Sequence, residues 1–358
     1  MRDERDLLRA ACEAAAGHWS ATLWGPSGES GRRYLAERRM DEATARAFGL
    51  GYAPAEWHDL HHALTGRGHS LGVLVKAGLL VASDNPHLEA YDRFRDRLVF
   101  PIGDLHGAAI AFGGRALSFA PGSNRGPKYL NTPETPIFKK SRALFGLPRA
   151  REAIRKARSA VLVEGYFDVM ALHQVGILET VGVCGTALSD DQVDLLRRSG
   201  CERVTLLFDG DAAGAAAPRL AASAILRAGL EGRVARLPTG KGKVDPHDLA
   251  VSRGKAGVEA VLESAAPLTE YLIEEAISAQ CDASSLVGAS VEERLRTARS
   301  LIRYVLACGE ERGLARSAFE KRIARRLDLG LTALKSEIRH HAQEGLAARD
   351  NARSRARS

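Results

Sequence analysis

From Ser159 onward, short apolar runs rich in β-branched residues alternate with helical stretches, and no other feature constrains the fold as much. Residues 160–163, 179–183, 203–208 and 232–237 read as strands. The helices between them are predicted over 167–175, from a cap at Ser189 with Gln192 three positions on, and over the alanine-rich 212–228. Successive strands separated by helices are joined by crossovers, and a crossover returns the chain parallel to its start. The pattern therefore predicts a Rossmann-like parallel sheet covered by helices.

The flanks read differently. Residues 1–157 mix short helices and strands: a helix over 30–48 stopped by Gly49, strands over 98–102 and 108–113 around a turn at 104–107, and a loop over 118–127. Beyond residue 265 the apolar residues recur every three or four positions, over 268–277, 291–306 and 315–327, which predicts a small helical bundle. The fold class expected is α/β, in four parts: an α+β N-terminal subdomain (1–157), the parallel-sheet domain (158–264), a helical subdomain (265–345) and a basic disordered tail (346–358).

Composition removes several alternatives. A chain of 358 residues that is 45% hydrophobic and 27% charged can bury a substantial core. No run approaches the roughly 18–20 apolar residues of a membrane helix. The charged N-terminus lacks a signal-peptide core, so a cytoplasmic location is expected. Cys12, Cys184, Cys201, Cys281 and Cys308 are scattered and form no C-x-x-C pair, which argues against a disulfide framework and a zinc ribbon. The net charge is +7, yet residues 93–158 alone carry fourteen Lys/Arg against four Asp/Glu. The rest of the chain is thus slightly acidic, and the confined basic excess suits a polyanion.

Two strands end in acids. Glu164-Gly165 closes 160–163, and Asp209-Gly210-Asp211 closes 203–208, 45 residues later. An open parallel sheet places its ligands just past the carboxyl ends of its strands. Taken singly, Glu164 is an ordinary strand-end residue and D-G-D an ordinary turn. If the two strands are neighbours, three carboxylates converge, and their repulsion calls for a cation. All-oxygen donors suit Mg²⁺ or Mn²⁺, and two such ions beside a basic face suit phosphoryl transfer. The acids do not continue into an EF-hand, and neither a Walker loop nor H-E-x-x-H occurs.

The segments EGYFDVMAL, VCGTALSDDQ and LLFDGDAAG resemble the Toprim domain of bacterial replicative primases of the DnaG type. Upstream, YDRFRDRLVFPI, AFGGRAL and PKYLNTPETPIFKKSRALFGL resemble the N-terminal half of that family's RNA-polymerase core. Downstream, VARLPTGKGKVDPHDLAVSRGKAGVEAVLESAAPLTEYLI resembles the run into its helical subdomain. The likeness covers roughly residues 31–277, and the PKYLNTPET block separates it from Toprim nucleases and topoisomerases.

The resemblance implies an enzyme, a DNA-directed RNA polymerase that makes short primers. It implies that Glu164, Asp209 and Asp211 are catalytic and bind two or more Mg²⁺ or Mn²⁺ ions, with Asp168 and Asp245 as further metal-site acids. The family's D-P-D motif is here D-P-H-D: His247 takes the third position and Asp248 follows, so Asp248 is the displaced candidate ligand. Arg93, Arg95, Arg97, Arg115, Lys128, Lys140 and Arg32 match positions that hold template or nucleotide. Tyr129 and Asn131 are candidates to stack on or hydrogen-bond a base.

The implied partners are single-stranded DNA and ribonucleoside triphosphates, with a nucleoid-associated location. The family's zinc-binding and helicase-binding domains have no counterpart in the sequence, so no zinc is expected in this chain. A zinc module acting in trans is open, and helicase contact through this chain is not expected. Both an excised core and a natural short protein fit. The alternatives are a Toprim-type nuclease and a non-catalytic primase relative that only binds single-stranded DNA.

Overall fold

The computed structural model describes residues 3–83, 89–118, 126–183, 188–209, 212–238, 244–280, 289–309 and 313–355, with no account of the side chains of 212–215 and 344–355. The chain opens with α1 (Glu4–Trp24), a long helix where only short elements are expected. Its buried residues Leu8, Ala11, Cys12, Ala15, Trp19 and Leu23 fall three or four apart and form one core-facing stripe. Half of that stripe is alanine or cysteine, which weakens its hydrophobic signal.

Two helices, α2 (Glu29–Glu37) and α3 (Glu42–Ala47), replace the single one expected over 30–48. The chain turns at Arg39, whose φ is +51°. It restarts when the Asp41 carboxylate accepts the Thr44 N–H at 2.6 Å. Gly49 then ends α3 at φ +67°.

An antiparallel sheet follows in the order β1-β4-β5-β6. Its strands are β1 (Gly51–Ala53), β4 (Arg97–Gly103), β5 (Ala109–Ala116) and β6 (Tyr129–Asn131). Between β1 and β4 lie α4 (Asp59–Thr65), α5 (Leu71–Lys76) and a two-stranded ribbon of β2 (Leu80–Val81) and β3 (Tyr91–Asp92). The β4–β5 hairpin turns where the Asp104 carboxylate accepts the N–H groups of His106 and Ala108, at 2.9 and 3.2 Å. Residues 119–125 of the expected loop lie outside the described residues.

After α6 (Leu147–Ala157) comes the alternating region: β7 (Ser159–Val163), α7 (Tyr166–Gln174), β8 (Thr180–Gly182), α8 (Asp190–Arg198), β9 (Arg203–Leu207), α9 (Ala212–Ala228), β10 (Glu231–Ala235), α10 (Pro246–Glu263) and β11 (Ala266–Pro267). The sheet order is β11-β10-β9-β7-β8, with β10, β9, β7 and β8 mutually parallel and only β11 antiparallel. The Ser189–Gln192 capping box forms as the sequence predicts. Helix α10 is interrupted at Gly254, where φ is +59° and ψ −163°, a conformation that a Cβ would strain.

Helices α11 (Leu268–Gln280), α12 (Val291–Ala307), α13 (Gly313–Leu327) and α14 (Leu331–Arg355) complete the chain. The last of these corrects the expected disordered tail, since 346–355 continue a helix. Alanine and arginine are strong helix formers, and no glycine or proline interrupts that stretch. Among the described residues no helix is long and apolar enough to cross a membrane.

One buried cluster joins α1 and the antiparallel sheet to α7, α10 and one side of the parallel sheet. A second covers the sheet's other side with α6, α8, α9 and α11–α14. The junction between the sheets is aromatic. Tyr166 stacks on Phe100 at 4.8 Å and meets Phe145 edge-on at 4.8 Å, while Phe167 meets Phe100 edge-on at 5.4 Å. Gly113 of β5 leaves room for this stack, because a Cβ there would lie 2.4 Å from the Tyr166 ring.

Candidate active site

Strands β7 and β9 are neighbours, with Leu162 opposite Leu206, so Glu164 and Asp209 emerge side by side at the carboxyl end of the sheet. Gly165 starts α7, and its N–H donates to Asp168 Oδ2 at 2.9 Å. A Cβ on Gly165 would stand 2.5 Å from that oxygen, which is why glycine follows the glutamate. The other oxygen, Asp168 Oδ1, accepts the His247 N–H at 3.2 Å. Asp168 therefore fastens the first turn of α7 to the first turn of α10, with both its oxygens engaged by backbone donors.

Asp245 caps α10, accepting the Asp248 N–H at 2.7 Å, with Pro246 in the first turn. Burial pushes the Asp168 carboxyl up to about 7, and repulsion from Asp245 and Asp209 adds to the shift. These three acids thus share one electrostatic environment at the strand ends. Gly210 and Asp211 lie outside the described residues.

The D-P-H-D departure has a structural use. His247 is buried, and its Nε2 donates to the Arg38 carbonyl at 2.8 Å, reaching across to the end of α2. Its Nδ1 faces Asp248 Oδ1 at 3.4 Å. Asp248 itself is exposed, and ligand atoms of Asp245, His247 and Asp248 lie within 4.8 Å of one another. Clustered carboxylates whose charges repel fit a hard divalent cation, so the donor set agrees with Mg²⁺ or Mn²⁺.

A pH dependence follows from Asp168. Its folded pKa lies above the ordinary carboxylate value, so the folded chain holds a proton that the unfolded chain releases. The stability it contributes is complete below about pH 4 and is lost as pH rises towards 7. Denaturation midpoints measured without divalent metal should fall over this window, less steeply in Asp168→Asn and less steeply again for the wild type in Mg²⁺. Equal slopes in all three would contradict the arrangement.

The arginines lie on two surfaces. Arg93, Arg95 and Arg97 face a cavity of about 580 Å³ whose walls include Trp57, Tyr91 and Leu130. Trp57 is 56% exposed. The Arg95 guanidinium lies 4.0 Å from the Trp57 ring and 5.1 Å from Tyr91, and the two rings meet at 5.3 Å. Burial lowers the pKa of all three guanidinium groups, which remain cationic. Arg97 is fixed by the Gly114 and Pro127 carbonyls at 3.1 and 3.0 Å, whereas Arg93 Nε is buried with no hydrogen-bond partner among the described residues.

The second surface gathers around Tyr34, Tyr129 and Phe167. Arg115 donates from Nε to the Tyr34 hydroxyl at 3.0 Å and lies 5.2 Å from the Tyr129 ring. Arg38 lies 5.0 Å from the Phe167 ring. Arg115 Nη1 and Arg38 Nε are both buried without a hydrogen-bond partner among the described residues. Desolvation pushes the Tyr129 phenol up to about 12, with Arg115 and Arg38 pulling it down and Tyr34 and Asp168 pushing it up. Tyr129 is thus within electrostatic range of both cations and of Asp168.

Other candidates are placed less directly. Asn131 Oδ1 accepts the Tyr166 hydroxyl at 2.8 Å, which commits that oxygen to the junction of the sheets. Lys128 is exposed beside β6. Lys140 sits in a 3-10 turn whose backbone docks on Gln192 of α8 at 3.1 Å. Arg32 is occupied elsewhere: its Nη1 donates to the Leu23 and Gly25 carbonyls, both at 2.6 Å, closing the end of α1.

Sequence reasoning missed Trp57, Tyr91, Tyr34 and Arg38. A tryptophan in the polar stretch AEWHD, outside any apolar period, is the one signal that could have marked the first.

Comparisons with known proteins bear on this arrangement. Residues 18–151 match the family described as DNA primase catalytic core, N-terminal domain, and residues 161–250 match the Toprim-like family. A DNA primase of Myxococcus xanthus is 44% identical over 273 residues, covering 75% of this chain and 43% of that protein. The chain spans about two fifths of the length of such curated relatives. A crystal structure of a DNA primase domain from Pseudomonas aeruginosa is 33% identical, with a TM-score of 0.80, over 93% of this chain and all of that one. A DnaG primase catalytic domain bound to single-stranded DNA is 32% identical, with a TM-score of 0.77, over 91% of this chain and 97% of that one.

Proposed function

We propose, for a chain that belongs to the DnaG-type DNA primases and matches their catalytic core, that it synthesises short RNA primers on single-stranded DNA. The observation that carries this reading is that Tyr129, whose ring lies 5.2 Å from the Arg115 guanidinium and 6.1 Å from the ring of Tyr166 in the turn after Glu164, is within electrostatic range of Asp168. It joins a polyanion-binding surface to an acid cluster at the ends of parallel strands. Nucleotidyl transfer needs both in one cleft.

The template strand lies along Arg93, Arg95 and Arg97. Their guanidinium groups meet phosphate oxygens, and the exposed Trp57 ring offers a base a stacking surface. Arg115 and Tyr129 orient the incoming ribonucleoside triphosphate, and Lys128 and Lys140 neutralise its outer phosphates. Glu164, Asp209, Asp211 and Asp245, with Asp248 beside them, would hold Mg²⁺ or Mn²⁺. Bound there, the ions would polarise the α-phosphate and make the attacking 3′-hydroxyl more acidic. Asp168 holds α7 and α10 together so that Glu164 and Asp245 keep their spacing. Work on a DNA template places the enzyme in the cytoplasm at the nucleoid.

The test is template-directed synthesis. The chain, single-stranded DNA, labelled ribonucleotides and Mg²⁺ or Mn²⁺ should yield short RNA, or extend a preformed RNA primer. Growth must depend on template sequence. Shortened template without growth would overturn the polymerase reading in favour of a nuclease, and salt-sensitive DNA binding without either product would leave only a binding protein.

A further inference from the structure

We infer that His58, His61 and Glu89 form a binding site for a first-row transition-metal ion of the zinc class, separate from the acidic cluster. His58 precedes α4 and His61 lies in its first turn, so a three-residue spacing puts both imidazoles on one face. Glu89 reaches the same spot from the segment that leads into β3. One ligand atom from each of the three lies within 4.8 Å of the others. Tetrahedral bonds of about 2.0–2.2 Å to zinc draw such atoms to about 3.4 Å apart. Rotamer changes at the exposed Glu89 and the half-buried His58 supply a contraction of that size.

Two further observations point to a ligand. His61 Nδ1 is buried and has no hydrogen-bond partner among the described residues, which a neutral imidazole nitrogen tolerates poorly. The backbone that carries the histidines is also fixed from behind. Asp92 is 2% exposed, and its carboxylate accepts the N–H groups of Leu60 and His61 at 2.7 and 3.0 Å. Outer contacts of this kind hold metal ligands in place.

Two imidazole nitrogens and one carboxylate favour zinc and its neighbours over Mg²⁺, and leave a fourth position for water. The expectation that the chain binds no zinc rests on its cysteines and does not reach these imidazoles. The site's place suggests its use. Trp57 adjoins His58, Tyr91 lies two residues beyond Glu89, and their rings touch beneath Arg95. An ion there would pin together the two segments that form the aromatic wall of the basic cavity. That last step rests on the proposed template role of the cavity, but metal binding itself does not.

Cobalt(II) makes the test direct. Untagged full-length chain, stripped with chelator and titrated with Co²⁺ in excess Mg²⁺, should develop intense visible absorption that saturates at one equivalent and is displaced by Zn²⁺. The band should vanish in His58→Ala and in His61→Ala, weaken in Glu89→Gln, and persist in Asp209→Ala. Circular dichroism establishes that each variant is folded; should His61→Ala unfold, the half-buried His58 carries the test alone. Absence of the band in wild type, or its persistence in folded His58→Ala, overturns the site. Loss in Asp245→Ala with retention in His58→Ala would assign the ion to the Asp245–His247–Asp248 group instead.

Discussion

Asp209→Ala should lower template-directed RNA synthesis about a hundredfold or more, on the order of 3 kcal/mol of transition-state stabilisation. The carboxylate lies at the end of β9, next to the strand that ends in Glu164, and it is one of the two acids that raise the pKa of Asp168. Its removal takes a negative charge from the place where cations are needed and leaves the arginine surface untouched. Affinity for single-stranded DNA measured by fluorescence anisotropy should therefore change less than twofold, and the melting temperature without Mg²⁺ should hold or rise as repulsion is relieved. Undiminished synthesis by the variant would remove Asp209 from the reaction, and with it the metal-assisted reading of the cluster.

Gly113→Ala should destabilise the fold by about 2–4 kcal/mol, combining overpacking with a lost hydrogen bond. The added methyl would overlap the Tyr166 ring, and that ring cannot easily retreat. It is stacked on Phe100, faces the edge of Phe145 and donates its hydroxyl to Asn131. Urea denaturation of wild type, Gly113→Ala, Tyr166→Leu and the double variant checks the cause. The alanine should cost much less once leucine replaces the tyrosine, a coupling expected only for groups in contact. Simple additivity of the two losses would show that the glycine is required for another reason.

The parallel sheet was legible because its signals are local. Strand runs of five residues, a capping box at Ser189–Gln192 and acids at strand ends lie within short windows, and the structure places β7 and β9 side by side. The long α1 was not legible, because half of its buried stripe is alanine or cysteine, which weakens the apolar period. The split between α2 and α3 is hidden from periodicity, because Asp41 and Thr44 fit a helix interior as well as the cap they form.

At the candidate site, the positions of Glu164 and Asp209 at neighbouring strand ends were readable. The engagement of Asp168 with His247 was not, for it joins residues 79 apart through a backbone donor. Arg32 has the chemistry of an anion ligand, yet it donates to the Leu23 carbonyl of α1 and to that of Gly25 just beyond it. Trp57 and Tyr91 gain meaning only when Arg95 lies against both.

The aromatic junction between the sheets has a mechanical consequence. Phe48, Phe145, Tyr166, Phe100 and Phe167 run as one continuous series of ring contacts from the end of α3 to β4 and the first turn of α7. Rings packed in this way resist shear, since sliding one past another forfeits several contacts of about 0.5–1.5 kcal/mol each. This packing opposes sliding of the sheet that carries Arg97 and Arg115 against the helix that follows Glu164. The spacing between the arginine surface and the acid cluster is thereby tied to how this junction packs when the chain folds.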